Sequence, residues 1–126
     1  MKTLRLLFLF TLFFSNFIVA QKDVPQFEIK ISLQRNKVVL QKVSGTNFID
    51  MSISKNEFYL NQNGMIDIDK DQEELTISDF VFSIKKVGKT IYFKSFKGTI
   101  WRDMSIVLDD FSYGVINQNG ISTKPL

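Results

Sequence analysis

Two peptide words recur in this chain, in the same order. Residues 45–53, GTNFIDMSI, return at 98–106 as GTIWRDMSI, and NQNG stands at both 61–64 and 117–120. Laying residue 27 over residue 80, an offset of 53, aligns 27–53 with 80–106 without a gap. Phe27 then meets Phe80, Ile31 meets Ile84, Val38-Val39-Leu40 meet Ile91-Tyr92-Phe93, and Phe48 meets Trp101. Three extra residues in the second stretch bring the two NQNG words into line. Collinear identities with matched apolar positions indicate a repeated supersecondary unit. Two copies are too few for a solenoid. The expectation is therefore two tandem units, 27–66 and 80–122, joined by an acidic linker at 67–79 and packed about a pseudo-twofold axis around one core.

The local pattern inside each unit is that of strands. Phe27, Ile29, Ile31 and Leu33 alternate with Glu28, Lys30 and Ser32, and Phe80, Phe82 and Ile84 repeat the pattern. Val, Ile, Phe, Tyr and Thr, which suit a pleated and half-buried surface, dominate these runs. Turn signals such as Arg35-Asn36, Ser44-Gly45, Asn63-Gly64, Gly88-Lys89, Lys97-Gly98 and Asn119-Gly120 punctuate them. Asn-Gly suits a type I′ hairpin, and Gly45 and Gly98 suit bends that need positive φ. Only residues 69–75 fit a single helical turn. The sequence thus predicts an all-β domain, an antiparallel meander of about eight strands. It would close as a small barrel or fold as a two-layer sandwich, because open edges invite aggregation.

The first twenty residues have a different character. Lys2 and Arg5 precede an apolar run, and Ala20 offers a small residue before Gln21. That is the pattern of a secretory signal peptide. The run from Leu6 to Ala20 would reach only about 22 Å as a helix, short of a bilayer core of about 30 Å. The expected organisation is a signal-peptide helix at 1–20, then one β domain at 21–126, exported to the periplasm or secreted, with membrane contact only through the leader. The full chain has 16 basic and 13 acidic residues. Removing the leader takes away two basic residues and leaves 14 − 13 = +1. Such a balance gives no footprint for nucleic acid, which needs clustered excess Lys and Arg. The chain has no cysteine and no histidine. Thiol catalysis, thiolate metal sites and histidine general bases are therefore outside its reach.

Three features of the mature chain could carry chemistry. The shared strand places Ile100, Met104 and Ile106, like Ile49, Met51 and Ile53 in the first unit, on the core face, and Trp101, Asp103 and Ser105 on the other. In the first unit Phe48, Asp50 and Ser52 form the matching stripe. Two such aromatic–Asp–Ser stripes could recognise a sugar or peptide, although loop packing and turn caps are the plainer reading of the same residues. The Asp50 and Asp103 pair also invites a two-carboxylate hydrolase. Asp67, Asp69 and Asp71 have the spacing of a calcium loop's first ligands, but Gln72 and Ser78 stand where that loop wants Gly and Glu. A solvated acidic linker is the plainer reading, so no cofactor is expected and calcium is the weak alternative. Lys85, Lys86, Lys89, Lys94 and Lys97 form a basic run that would pair with the acidic linker or guard a sheet edge.

The stretch KGTIWRDMSIVLDDFSYGVINQNGIST resembles the C-terminal pattern of small exported Bacteroidota (Flavobacterium-like) proteins. These carry Gly-Thr-x-Trp-x-x-Leu-Ser-Phe, a hairpin, and an Asn/Asp-x-x-Gly-Met turn. Here Met104 and Ile106 replace the usual Leu and Phe, and Ile121 replaces Met, all apolar exchanges. The resemblance implies provenance and export, not an activity. The functional expectation is a non-catalytic binding or interaction module. Its partner would be an envelope glycan, a peptide or an envelope or extracellular protein. A small hydrolase using the Asp pair and a purely structural envelope component are the alternatives.

Overall fold

The computed structural model describes residues 24–70 and 72–126. The expected leader, and with it the export assignment, lies outside the described residues. Among the described residues, ten strands and one short helix follow in the order β1 (Glu28–Gln34), β2 (Lys37–Ser44), β3 (Asp50–Ile53), β4 (Glu57–Asn61), β5 (Gly64–Ile66), α1 (Glu73–Ile77), β6 (Val81–Val87), β7 (Thr90–Lys97), β8 (Asp103–Val107), β9 (Ser112–Asn117) and β10 (Gly120–Pro125). The single helical turn expected at 69–75 falls slightly later, as α1.

The strands form two five-stranded antiparallel sheets packed face to face. The order is β10-β9-β1-β2-β3 in the first and β5-β4-β6-β7-β8 in the second. A closed barrel is thereby excluded in favour of the two-layer sandwich. The expectation of a simple meander of about eight strands needs correcting. The chain runs β1-β2-β3 in one sheet, crosses to lay β4 and β5 beside β6 in the other, and after β8 crosses back to lay β9 and β10 beside β1. Sequence order favours neighbours in the chain as neighbours in the sheet. Here β1 and β6 each have one free edge after pairing with β2 and β7, and the hairpin from the other half fills it.

The two sheets make the same pairings at a shift of 53 residues. Val38 lies opposite Ile53 and Ile91 opposite Ile106; Ile31 lies opposite Leu40 and Ile84 opposite Phe93. Both long hairpins carry a register shift near their open end, between Glu28 and Ile29 and between Val81 and Phe82. The inward alternating positions form the core: Phe27, Ile29, Ile31, Val38 and Leu40 from one sheet, and Phe80, Phe82, Ile84, Ile91 and Phe93 from the other. Phe27 and Phe80 stack with ring centroids 4.0 Å apart, and Phe82 lies 5.7 Å from Phe80. Burying rings of this size supplies several kcal/mol each, of order 1.5–3 from area alone.

The repeated words can now be read as joints. Gly45 has φ +76° and Gly98 +81°. A Cβ at Gly45 would lie 2.3 Å from the Gln26 carbonyl oxygen, and one at Gly98 would lie 2.4 Å from that of Asp79. Each glycine lets the chain leaving β2 or β7 press on the residue that opens β1 or β6. The next residue ties the bend: Thr46 Oγ1 donates to the Phe48 carbonyl at 2.8 Å and Thr99 Oγ1 to that of Trp101 at 2.6 Å. In the NQNG hairpins the expected geometry shifts by one residue. Asn61 pairs with Gly64 and Asn117 with Gly120, so the central residues are Gln-Asn, not Asn-Gly. Asn61 Oδ1 accepts from the Asn63 and Gly64 amides, and Asn117 Oδ1 from those of Asn119 and Gly120. The first Asn side chain thus closes the turn, and the glycine alone takes positive φ, 129° and 156°.

Candidate functional site

The expected aromatic–Asp–Ser stripes do not exist as single faces. Phe48 is buried in the core. Trp101 packs edge-on to Phe82 at 5.5 Å, and its Nε1 donates to the Asn117 carbonyl in the opposite sheet at 2.9 Å. Asp50, Ser52, Asp103 and Ser105 point outward and are exposed. Ile49 and Ile100, expected on the core face, are 74% and 66% exposed. The alternation breaks because β3 and β8 begin only at Asp50 and Asp103. The residues before them arc over the sheet end, where the Ile49 and Arg102 carbonyls accept from the Lys42 and Ser95 amides. Period-two reasoning holds only within a continuous strand.

The outward pair also separates. Asp50 and Ser52 line a depression of about 540 Å³ on the first sheet, beside Gln34, Arg35, Lys37 and Gln41. Asp103 and Ser105 line one of about 640 Å³ on the second sheet. A two-carboxylate mechanism needs both groups about one substrate bond, at roughly 5–10 Å. The structure puts Asp50 and Asp103 on the outward faces of different sheets and in different depressions.

The second depression is built by strand register. One row across the outward face reads Glu57, Lys85, Tyr92, Ser105, and the next reads Tyr59, Ser83, Lys94, Asp103. Phe96 follows Tyr92 and Lys94 on the same face by alternation, and the register shift at Val81/Phe82 leaves it without a partner on β6. Its ring meets Tyr59 edge-on at 5.7 Å, and Lys94 Nζ sits 5.8 Å from it. Tyr92 is 48% exposed and Phe96 41%. Partial burial, helped by the nearby charges of Asp69, Glu57 and Asp67, pushes the Tyr59 phenol above its ordinary value, so it stays a neutral donor. The face therefore combines aromatic rings, two ammonium groups, two carboxylates and two hydroxyl-bearing serines. Of the six candidate residues named from the sequence, Asp103 and Ser105 belong to it. Tyr59, Tyr92, Phe96 and Glu57 were missed, and Lys85 and Lys94 were named only as members of a basic run. The signal for Tyr92 and Lys94 was present, since both alternate with the core residues Ile91 and Phe93.

The remaining charged features have structural roles. Asp67 Oδ1 accepts from the Asp69 and Lys70 amides, closing a local turn, while Asp71 lies outside the described residues. Among the described residues no three carboxylates converge as metal ligands. Lys86 is buried on the inward face, where its Nζ donates to the Asn36 carbonyl and Oδ1 at 2.8 and 2.7 Å, pinning one sheet to the β1–β2 turn of the other. Lys97 Nζ donates to the Thr76 carbonyl at 2.8 Å and so holds the end of α1. Two members of the expected basic run are thus fasteners, and Lys85 and Lys94 are the ones that face the depression. Among the described residues no helix is long and apolar enough to cross a membrane. Comparison with family models, curated proteins and solved structures found no match to this chain.

Proposed function

We propose that this chain is an exported, non-catalytic binding module whose contact surface is the outward face of the second sheet. The observation that carries the reading is the gathering of exposed Tyr92 and Phe96 with Lys85, Lys94, Asp103 and Ser105 on one outward face. At the equivalent positions of the first sheet stand Val39, Val43, Ser32, Gln41, Asp50 and Ser52. Rings lying on a sheet offer faces for the C–H groups of a sugar ring, and the flanking charged and hydroxyl groups can bond its hydroxyls. An envelope glycan fits that mixture best; a peptide or protein is the other ligand class the face could take.

The matched pairings of the two sheets support the further reading that one β unit was duplicated in tandem. The leader pattern of residues 1–20 and the resemblance to exported Bacteroidota proteins support delivery to the periplasm or beyond.

The test is a titration of the mature protein with envelope oligosaccharides and, separately, with peptides, followed by backbone amide shifts. Perturbations should cluster at residues 57–59, 83–85, 92–96 and 103–105 with the glycans. Tyr92→Ala should weaken that response about tenfold or more, as expected for removal of a stacking ring worth up to ~1.5 kcal/mol beyond its buried area. Shifts with peptides alone would reassign the ligand class. No response from either class, or one centred on the first sheet, would overturn the proposal.

A further inference from the structure

The two NQNG turns are chemically matched and structurally unequal. Asn63 and Asn119 are both exposed, and each precedes a glycine. The Asn63 carboxamide oxygen, however, accepts from Asn47 Nδ2. The following Gly64 is buried, with Met51 Cε 3.2 Å from where a Cβ would lie. At the second turn Ile100 occupies the position equivalent to Asn47 and has no side-chain donor. Nothing lies within 4 Å of a Cβ built on Gly120. The Asn119 side chain has no polar partner among the described residues; only its backbone amide is held, by Asn117 Oδ1.

We infer that Asn119 is a site of spontaneous covalent modification, deamidation through a cyclic imide, and that the first turn is protected from it. The Gly120 backbone nitrogen attacks Asn119 Cγ. The N–Cγ bond forms, the Cγ–Nδ2 bond breaks, and the displaced amide nitrogen leaves as ammonia carrying the Gly120 amide proton. Water then opens the five-membered imide at either carbonyl, giving aspartate or isoaspartate. No oxidant or reductant takes part. The reaction needs the carboxamide to swing onto the next nitrogen, and glycine there leaves the approach clear of a side chain. Asn119 can swing; Asn63 must first give up its bond to Asn47, and its glycine must move within a packed site.

The product matters to the fold. Each event adds a negative charge, and isoaspartate routes the main chain through Cβ. The turn then no longer presents the 119 and 120 amides to Asn117 Oδ1, where they now bond at 2.8 and 3.0 Å. The adjoining Gln118 Oε1 accepts from the Phe27 amide at 3.2 Å, so the disturbance reaches the start of β1.

The experiment is incubation of the folded mature protein at mildly alkaline pH, with peptide mapping that separates Asn, Asp and isoAsp at both positions. Conversion at 119 should exceed that at 63 by about threefold or more, the scale expected from one additional hydrogen bond. In the denatured chain the two rates should converge, because both sites read Gln-Asn-Gly. Asn47→Ala should raise the rate at 63 in the folded protein toward that at 119. Equal folded rates, a faster reaction at 63, a ratio that survives denaturation, or an Asn47→Ala variant with an unchanged ratio would each overturn the inference.

Discussion

The inward and outward faces of the two sheets diverge to very different degrees. Inward, the pairs at an offset of 53 are Phe27 and Phe80, Ile29 and Phe82, Ile31 and Ile84, Val38 and Ile91, Leu40 and Phe93, all apolar and all buried. Outward, Lys30 faces Ser83 across the offset, Ser32 faces Lys85, Val39 faces Tyr92 and Gln41 faces Lys94. A side chain on the shared interior must fit partners from both sheets at close-packed density, so its size and character are constrained. An outward side chain answers only to its row neighbours and to solvent. The difference shows that the shared interior constrains side chains more tightly than either outward face does, and at the offset positions the rings Tyr92 and Phe96 stand on the second sheet alone.

Four sets of substitutions test how equal the two halves are. The largest effect should come from the stacked rings. Phe27→Ala and Phe80→Ala should each cost about 3–5 kcal/mol in urea unfolding. Because the two rings contact each other at 4.0 Å, the double variant should cost less than the sum. Full additivity would break the picture of one shared core.

The paired glycines come next. Gly45→Ala and Gly98→Ala face the same left-handed backbone and the same carbonyl clash, so each should lose roughly 2–4 kcal/mol. A difference above about 1 kcal/mol between them would mean the two joints bear unequal loads.

Lys86 is an inward position where the halves disagree in polarity, since its counterpart is Leu33. Lys86→Ala should cost about 1–3 kcal/mol through lost packing and lost bonds to Asn36. Lys86→Leu installs the residue the other sheet already uses, and should recover most of that loss. A leucine variant as unstable as the alanine one would assign the position's value to the Asn36 bonds.

The smallest effect concerns the longer crossing at 108–111. The Asp109 carboxylate accepts from the Phe111 amide and the Ser112 hydroxyl, which, with the charge of Lys89, hold its pKa below the ordinary carboxylate value. A lowered value in the folded state stabilises it above the unfolded carboxylate's pKa, and this contribution is lost as pH falls through the folded value. Unfolding midpoints followed from neutral to about pH 2 should therefore drop slightly less steeply in Asp109→Asn. An unchanged acid limb would remove this turn from the differences between the halves.

How far the sequence foretold these details depended on the range of the contacts involved. β1 and β6 were readable because alternation along Ile29–Leu33 and Phe82–Ile84 needs only neighbouring residues. Glycine at 45 and 98 was readable as a bend, but not its reason, which is contact with Gln26 and Asp79 in a preceding strand's approach. The outward placement of Asp103 was expected, but Trp101 was put on the same face because Arg102, between them, is a loop residue whose carbonyl accepts from Ser95 and does not continue the strand's alternation. The sheet order was hidden for a different reason. The β4–β5 hairpin follows β3 in the chain yet pairs with β6 in the other sheet, and no local pattern of residues marks that exchange. Of the outward face, Asp103 and Ser105 were found through their repetition, whereas Tyr92 and Phe96 stand where the first unit has valines and no repeated word marks them.

The exchanged hairpins also fix when the molecule can be finished. Glu28 finds its second neighbour only in Asn117, near the far terminus. Until β9 has been made, β1 is a bare hydrogen-bonding edge and the first sheet lacks its full width, while every strand of the second is already present. Closure through such distant partners is slow, and a chain cut short between β8 and β9 would be left with a strand ready to capture whatever extended segment it meets.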